Sequence, residues 1–287
     1  MAGKEMTMCM RRVILLLAAV ACLSAPLTRV AAQQAGGQGA QKEAHALLLR
    51  VQSGDLASMT DDELVDFFKR IDPPALLDYL RAGASAYPQY ELWMRREERI
   101  RGRWPARPAL NYIKFSSHPL RIYVRWLAGG AKAGQEVLYD ETRRKDAMYG
   151  HLGGFLSGIS TWTSLDGPLA RDNSNHPITD LSLQSVTRIL AAEQTLYREE
   201  GASPAPQEVA VEHVHGFRCV ALTWVAPSPR HYASKTRMCF DLSLPIVRQI
   251  ESWNDAGQLQ ERLQFLDIRP AQFTDKDFDP DNKAYHF

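Results

Sequence analysis

Two periodicities divide the chain. Before residue 87 the apolar positions recur at helical spacing. Leu64, Val65, Phe67, Phe68 and Ile71 fall at i, i+1, i+3, i+4 and i+7, which is one face of a helix. Thr60 and Glu63 open that stretch as N-cap and N3 of a capping box. Ala46, Leu47, Leu48 and Leu49 predict an earlier helix over 43–52 without a sharp face. Pro73-Pro74 interrupts the pattern, and Pro74 can start a third, short helix carrying Leu76, Leu77 and Leu80.

After Tyr87 the period becomes two. YELWMRREERIRGR suits a long, half-exposed strand, and 109–115 is another. In HPLRIYVRWL, Leu120, Ile122, Val124 and Trp126 alternate with Arg121, Tyr123 and Arg125. Gly129-Gly130 makes a turn, and GQEVLYDE pairs back with Val137 and Tyr139 on one face and Glu136 and Asp140 on the other. DAMYGHLGG continues the meander. A helix returns over 182–199, with Leu183, Val186, Leu190 and Tyr197 at helical spacing. Short strands follow over 209–214, 217–225, 232–241, 246–253 and 259–268, the last two joined by a hairpin turn at Asn254-Asp255-Ala256-Gly257. No internal repeat is visible. The order of helices, meander, helix and meander predicts an α+β fold, mainly antiparallel β, with few helices.

The first residues change the picture of where such a sheet works. Arg11 and Arg12 precede an uncharged apolar run over 13–23, broken by Pro26 and followed by the small residues Val30-Ala31-Ala32. This is the layout of a signal peptide over 1–32, cleaved after Ala32, for export to the periplasm. An alternative reading is a lipoprotein anchored at Cys22. QQAGGQGAQK, 33–42, reads as a flexible leader, and 43–287 as a single domain. The full chain has 34 basic and 33 acidic residues; losing Lys4, Arg11, Arg12, Arg29 and Glu5 leaves a net charge near −2. That balance excludes a typical nucleic-acid binder, and a monomer is expected.

Two cysteines remain after cleavage, Cys219 and Cys239. In an exported chain they are a candidate disulfide. A hairpin centred on Pro229 places them directly opposite each other.

The stretch EHVHGFRC sets His213 and His215 two apart, on one face of a strand, as a weak candidate metal pair. A metal-dependent envelope enzyme built on them is the alternative function. Glu212 points to the other face, and a third ligand would have to come from His118, His151, His176 or His231. No metal, cofactor or catalytic residue is expected. GGFLSGIS lacks the first glycine of a nucleophile elbow, and the aspartates of TDKDFDPDN lack the glycine and glutamate of an EF-hand loop and read as a polar turn.

FSSHPLRIYVRWL, GQEVLYDE, the element His176-Pro177-Ile178-Thr179 before a helix, and the ending LPIVRQIESWNDAGQLQERLQFLDIRP with FTDKDFDPDN resemble the bacterial domain-of-unknown-function family fifteen seventy-one over about residues 60–287. They are also similar to LolA-type carrier domains. The resemblance implies a LolA-like fold: a curved, incomplete barrel with helices on its open side. It further implies non-enzymatic binding or carriage of an apolar ligand, such as a lipid or a lipoprotein acyl chain. Phe67, Phe68, Ile122, Val124, Trp126, Val137, Tyr139, Leu263 and Phe265 are then the cavity-lining candidates. A scaffold that binds an envelope protein through a sheet edge is a further alternative.

Overall fold

The structure, a computed structural model, describes residues 25–154, 158–171 and 174–287, with side chains from residue 38 onward except at 169. Most of the expected signal segment therefore lies outside the described residues. Among the described residues no helix is long and apolar enough to cross a membrane.

Among the described residues, five α-helices form the cover and one short α-helix sits in a loop. They are α1 (Ala25–Ser53), α2 (Asp55–Ser58), α3 (Asp61–Lys69), α4 (Pro73–Ala86), the short α5 (Pro168–Arg171) and α6 (Leu183–Glu199). The capping box of α3 is present: Thr60 accepts from the Glu63 amide, and the Glu63 carboxylate accepts from the Thr60 amide at 2.8 Å. Helix α1 differs from expectation. It runs through residues 33–42, where a flexible leader is expected, and through the boundary expected after Ala32. Its buried stripe is Ala40, Ala44, Leu47 and Val51, spaced by four, three and four residues, and it packs on α4. Two of those positions are alanines, which carry little weight in a search for bulky apolar periods.

Eleven strands among the described residues form one antiparallel sheet. They are β1 (Gln89–Glu98), β2 (Ala109–Ser117), β3 (Leu120–Trp126), β4 (Glu136–Asp140), β5 (Ala147–His151), β6 (Thr161–Ser164), β7 (Glu208–Val214), β8 (Phe217–Val225), β9 (Lys235–Asp241), β10 (Val247–Trp253) and β11 (Leu259–Pro270). The spatial order is β6-β5-β4-β3-β2-β1-β11-β10-β9-β8-β7. Two meanders meet at the β1–β11 pair, and the sheet is not closed.

Period-two alternation gives this sheet two different faces. The inner face carries Leu92, Met94, Ile113, Ile122, Val124, Val220, Leu222, Met238 and Phe240, all buried in one core with the stripes of α1, α3, α4 and α6. The outer face is polar toward β9–β11: Arg262 reaches Glu251 at 2.8 Å and Glu97 at 3.6 Å. Over β2–β4 the outer face is covered by the C-terminal segment. Phe278 is fully buried against Tyr123 and Leu138, and Tyr285 stacks on Tyr123 at 3.9 Å between centroids. The aspartates expected as a polar turn therefore also anchor a tail: Asp277 pairs with Lys114 at 3.0 Å and Asp275 with Arg121 at 2.7 Å.

The β8–β9 hairpin corrects the cysteine pairing. Val225 faces Lys235, so the hairpin centres on Arg230, one residue beyond Pro229. That shift moves every partner by two. Cys219 faces Asp241, Cys239 faces Ala221, and both thiols are free and buried. The two cysteines share a face and a small apolar cluster with Val214 and Ala221. Burial pushes the Cys219 thiol up to about 12 and the Cys239 thiol up to about 11.

Candidate functional site

The turn at His215-Gly216 corrects the metal pair. Strand β7 ends at Val214, which faces Phe217, and His215 and Gly216 form a two-residue turn with φ of 49° and 83°. Positive φ at both central positions is the hairpin geometry that needs glycine or a tolerant polar residue. His213 stays on the strand, exposed and opposite Arg218, while His215 leaves it. The two imidazoles no longer share a face. Glu212, on the other face, pairs with Arg237.

A different histidine gathers carboxylates. His176 lies in the loop before α6, the Glu98 side chain rises from the end of β1, and Glu261 from β11. Glu98 and Glu261 face each other directly across the β1–β11 seam. The His176 Nε2 sits 2.7 Å from Glu261 Oε2, and its Nδ1 lies 3.7 Å from Asp180. Burial alone would lower the His176 pKa. The bonds to Asp180 and Glu261, with the charges of Glu261 and Glu98, outweigh it and hold the ring protonated up to about 10. Tyr232 donates to Glu261 at 3.1 Å and Ser252 donates to its other oxygen at 2.9 Å. Arg96 pairs with Glu98 at 2.5 Å and donates to Ser174 at 2.8 Å; Ser174 in turn donates to Glu98 at 3.1 Å. Burial would raise the Glu98 pKa, but the Arg96 charge and these hydrogen bonds hold it below the usual range.

Glu98, His176 and Glu261 bring three donor atoms within 4.8 Å of one another. Two carboxylates and one imidazole are a reasonable set for a divalent cation. Here the donors are otherwise engaged. A cation would have to displace the proton from His176 and the guanidinium of Arg96 from Glu98. The network is therefore a clasp that ties the loop 174–180 to the sheet.

Around that clasp the inner face is not filled evenly. Under α6, a cavity of about 50 Å³ is bounded by Val186, Ile189, Met94, Met238, Leu263 and Phe265. Beyond the clasp, an open groove of about 210 Å³ runs over β4–β6, lined by Val137, Met148, Gly150, Leu152, Ile159 and Thr161 among others. Among the described residues, no helix residue lines this groove. A smaller cavity of about 50 Å³, bounded by Arg96, Trp126, Val137, Met148, His176 and Leu181, lies between the two.

The expected cavity residues divide accordingly. Val137 lines the groove, Trp126 and Val137 line the connecting cavity, and Leu263 and Phe265 line the cavity under α6. Ile122, Val124 and Tyr139 are inner-face core and border none of these spaces. Phe68 is buried and Phe67 half-buried on α3, which packs on β7 and β8 at the far edge. Met148, Gly150 and Ile159 were not anticipated. Gly150 is the legible one: a Cβ there would meet the Glu136 carbonyl at 2.6 Å, so only glycine allows the close strand contact.

A family profile matches residues 87–287 under the description "Protein of unknown function (DUF1571)". The chain belongs to this family. No curated protein matches the DUF1571 chain. Among solved structures it is similar to an uncharacterized conserved protein from Thermus thermophilus, at 9% identity and TM-score 0.42 over 72% of this chain and 94% of that one. It is similar to a LolA superfamily protein from Nitrosomonas europaea at 10% identity and TM-score 0.32, over 72% and 97% of the two chains. In the Pseudomonas aeruginosa MucA/MucB complex the figures are 15% identity, TM-score 0.38, and 71% and 60% of the two chains. The DUF1571 chain thus spans less than two thirds of that last relative.

Proposed function

We propose that this DUF1571 protein is a periplasmic, non-enzymatic binding protein for an apolar ligand of acyl-chain type, held on the inner face of the sheet at β4–β6. One observation carries the reading. The same apolar face that is sealed by α6 on one side continues past the clasp as an open groove lined by Val137, Met148, Leu152 and Ile159. An apolar surface in a concave position that no helix covers among the described residues is the usual form of a ligand site. At about 210 Å³ the groove is below the roughly 300 Å³ lower end of small-molecule pockets. It suits a segment of acyl chain more than a compact polar metabolite. The N-terminal segment supports an exported location, and the hydrogen-bonded state of the Glu98–His176–Glu261 clasp argues against hydrolytic chemistry there.

The test is displacement of a neutral fluorescent probe, N-phenylnaphthylamine, by acyl compounds, with native mass spectrometry of the mature protein for stoichiometry. One ligand per chain is expected, with affinity lost in Met148→Asp, at a half-buried groove wall, while the fold persists by circular dichroism. Absence of binding at any ligand ratio, or full binding by Met148→Asp, would overturn the assignment.

A further inference from the structure

A fourth space opens beside the clasp, at Arg96 and Glu98. It has a volume of about 240 Å³ and is lined by Arg96, Glu98, Arg103, Trp104, Arg107, Trp126 and Lys132 with neighbouring small and apolar residues. Four cations and one carboxylate line it, and that carboxylate, Glu98, is already paired with Arg96. Among the described residues neither Arg103 nor Arg107 pairs with a carboxylate. The buried member of the group is also incomplete. Arg96 is 6% exposed, and its Nε has no hydrogen-bond partner among the described residues. A buried guanidinium N–H without an acceptor is costly, and an anion beside it would remove that cost. Lys132 adds a fourth cation to the lining. Its ammonium is held down at about 8, first by burial and then by the Arg96 charge, against the opposing charge of Glu98.

This pocket does not stand alone. Arg96 and Trp126 belong both to it and to the connecting cavity, and Val137 and Met148 belong both to that cavity and to the groove. A cationic mouth and an apolar groove therefore share one continuous wall.

We propose that the pocket at Arg96, Arg103, Arg107 and Lys132 receives a phosphate-type anionic head group whose acyl portion lies along the β4–β6 groove. This inference rests on the apolar-ligand reading and specifies its ligand as an anionic amphiphile. Guanidinium groups match phosphate oxygens in paired, planar contacts, and the two tryptophans suit the boundary between a polar head and an apolar chain.

The experiment compares dihexanoylphosphatidylglycerol, the uncharged dihexanoylglycerol and inorganic phosphate, in wild type and in Arg103→Gln/Arg107→Gln. Both arginines are exposed, so the double variant folds. Displacement of N-phenylnaphthylamine by the anionic lipid should be at least about tenfold better than by the neutral one, and the double variant should lose that preference while keeping the neutral affinity. Thermal protection by inorganic phosphate alone, lost in the double variant and with no lipid preference, would support the anion pocket but assign it to free phosphate. Equal displacement by both lipids in wild type, with no phosphate protection, overturns the head-group site and leaves the apolar groove standing. Failure of both lipids to displace the probe removes the groove instead.

Discussion

The two ends of the inner face are built from the same alternation of apolar residues and end up in different states. At β9–β11, Met238, Ile250, Leu263 and Phe265 meet Val186 and Ile189 of α6 and leave only a cavity of about 50 Å³. At β4–β6, no long helix among the described residues lies over Val137 and Met148, and a groove of about 210 Å³ remains. Strand pattern does not separate the two. Helix reach does. The N-terminus of α6 is fixed where the Leu183 amide donates to the Tyr90 hydroxyl at 2.9 Å, and its C-terminal half is fixed by Glu193 and the capping Glu200 against His231. Those anchors run the helix over β1 and β9–β11, so it cannot also cover β4–β6. An apolar strand face becomes core or open groove according to where its covering helix is tied.

The comparison can be broken most severely at the closed end. Helix α4 approaches the β9–β10 turn through Gly83, where a Cβ would lie 2.0 Å from the Pro245 carbonyl oxygen. Gly83→Val should cost ~3 kcal/mol or more in urea denaturation, because backbone on both sides has to move. Truncation then separates the two ends directly. Phe265→Ala, at a residue 2% exposed, should cost ~3–5 kcal/mol. Met148→Ala, at a half-buried groove wall, should cost less than ~1.5 kcal/mol and weaken acyl-probe binding instead. Equal stability losses at the two positions would mean the groove is ordinary core.

The clasp between the ends should be pH-dependent. His176 is protonated in the folded state up to about 10, above its ordinary value near 6.5. Its stabilising contribution is then complete below about pH 6.5 and is lost as pH rises toward 10. His176→Gln should destabilise by ~3 kcal/mol near pH 6, the range for breaking a buried pair, and by much less at pH 10. A gap independent of pH would show that the ring acts by packing alone. The smallest effect is expected at the cysteines. Native protein should react slowly with a thiol reagent, since both thiols are buried, and should release two equivalents after denaturation without reductant. No reaction after denaturation would show instead that Cys219 and Cys239 are bridged as diagonal neighbours.

Much of the fold was legible because it is local. The capping box at Thr60, the strand at 217–225 and the turn at Asn254 each announce themselves within a few residues, and the structure has them there. What failed was register and long-range adjacency. A one-residue shift of the hairpin centre separated Cys219 from Cys239, and a glycine turn pulled His215 off its strand. The clasp was hidden for a deeper reason. Glu98 and Glu261 face each other only because β1 pairs with β11, and no periodicity records which strands of two meanders meet. His176 was visible as part of HPIT and as a possible distant ligand, but its partners were not. Val137 and Trp126 were found by alternation, whereas Met148, Gly150 and Ile159 line a space defined by where the covering helix stops.

The β1–β11 seam also sets a timetable for the chain. Residues 89–98 begin the first meander and residues 259–270 end the second, and the sheet becomes one object only when these two strands find each other. Contacts that close so long a loop are slow to form. A chain emerging N-terminus first presents β1 early, with one edge waiting for its neighbour. The complete sheet cannot assemble until residues 259–270 are also present, so the first meander waits as half of an unfinished sheet.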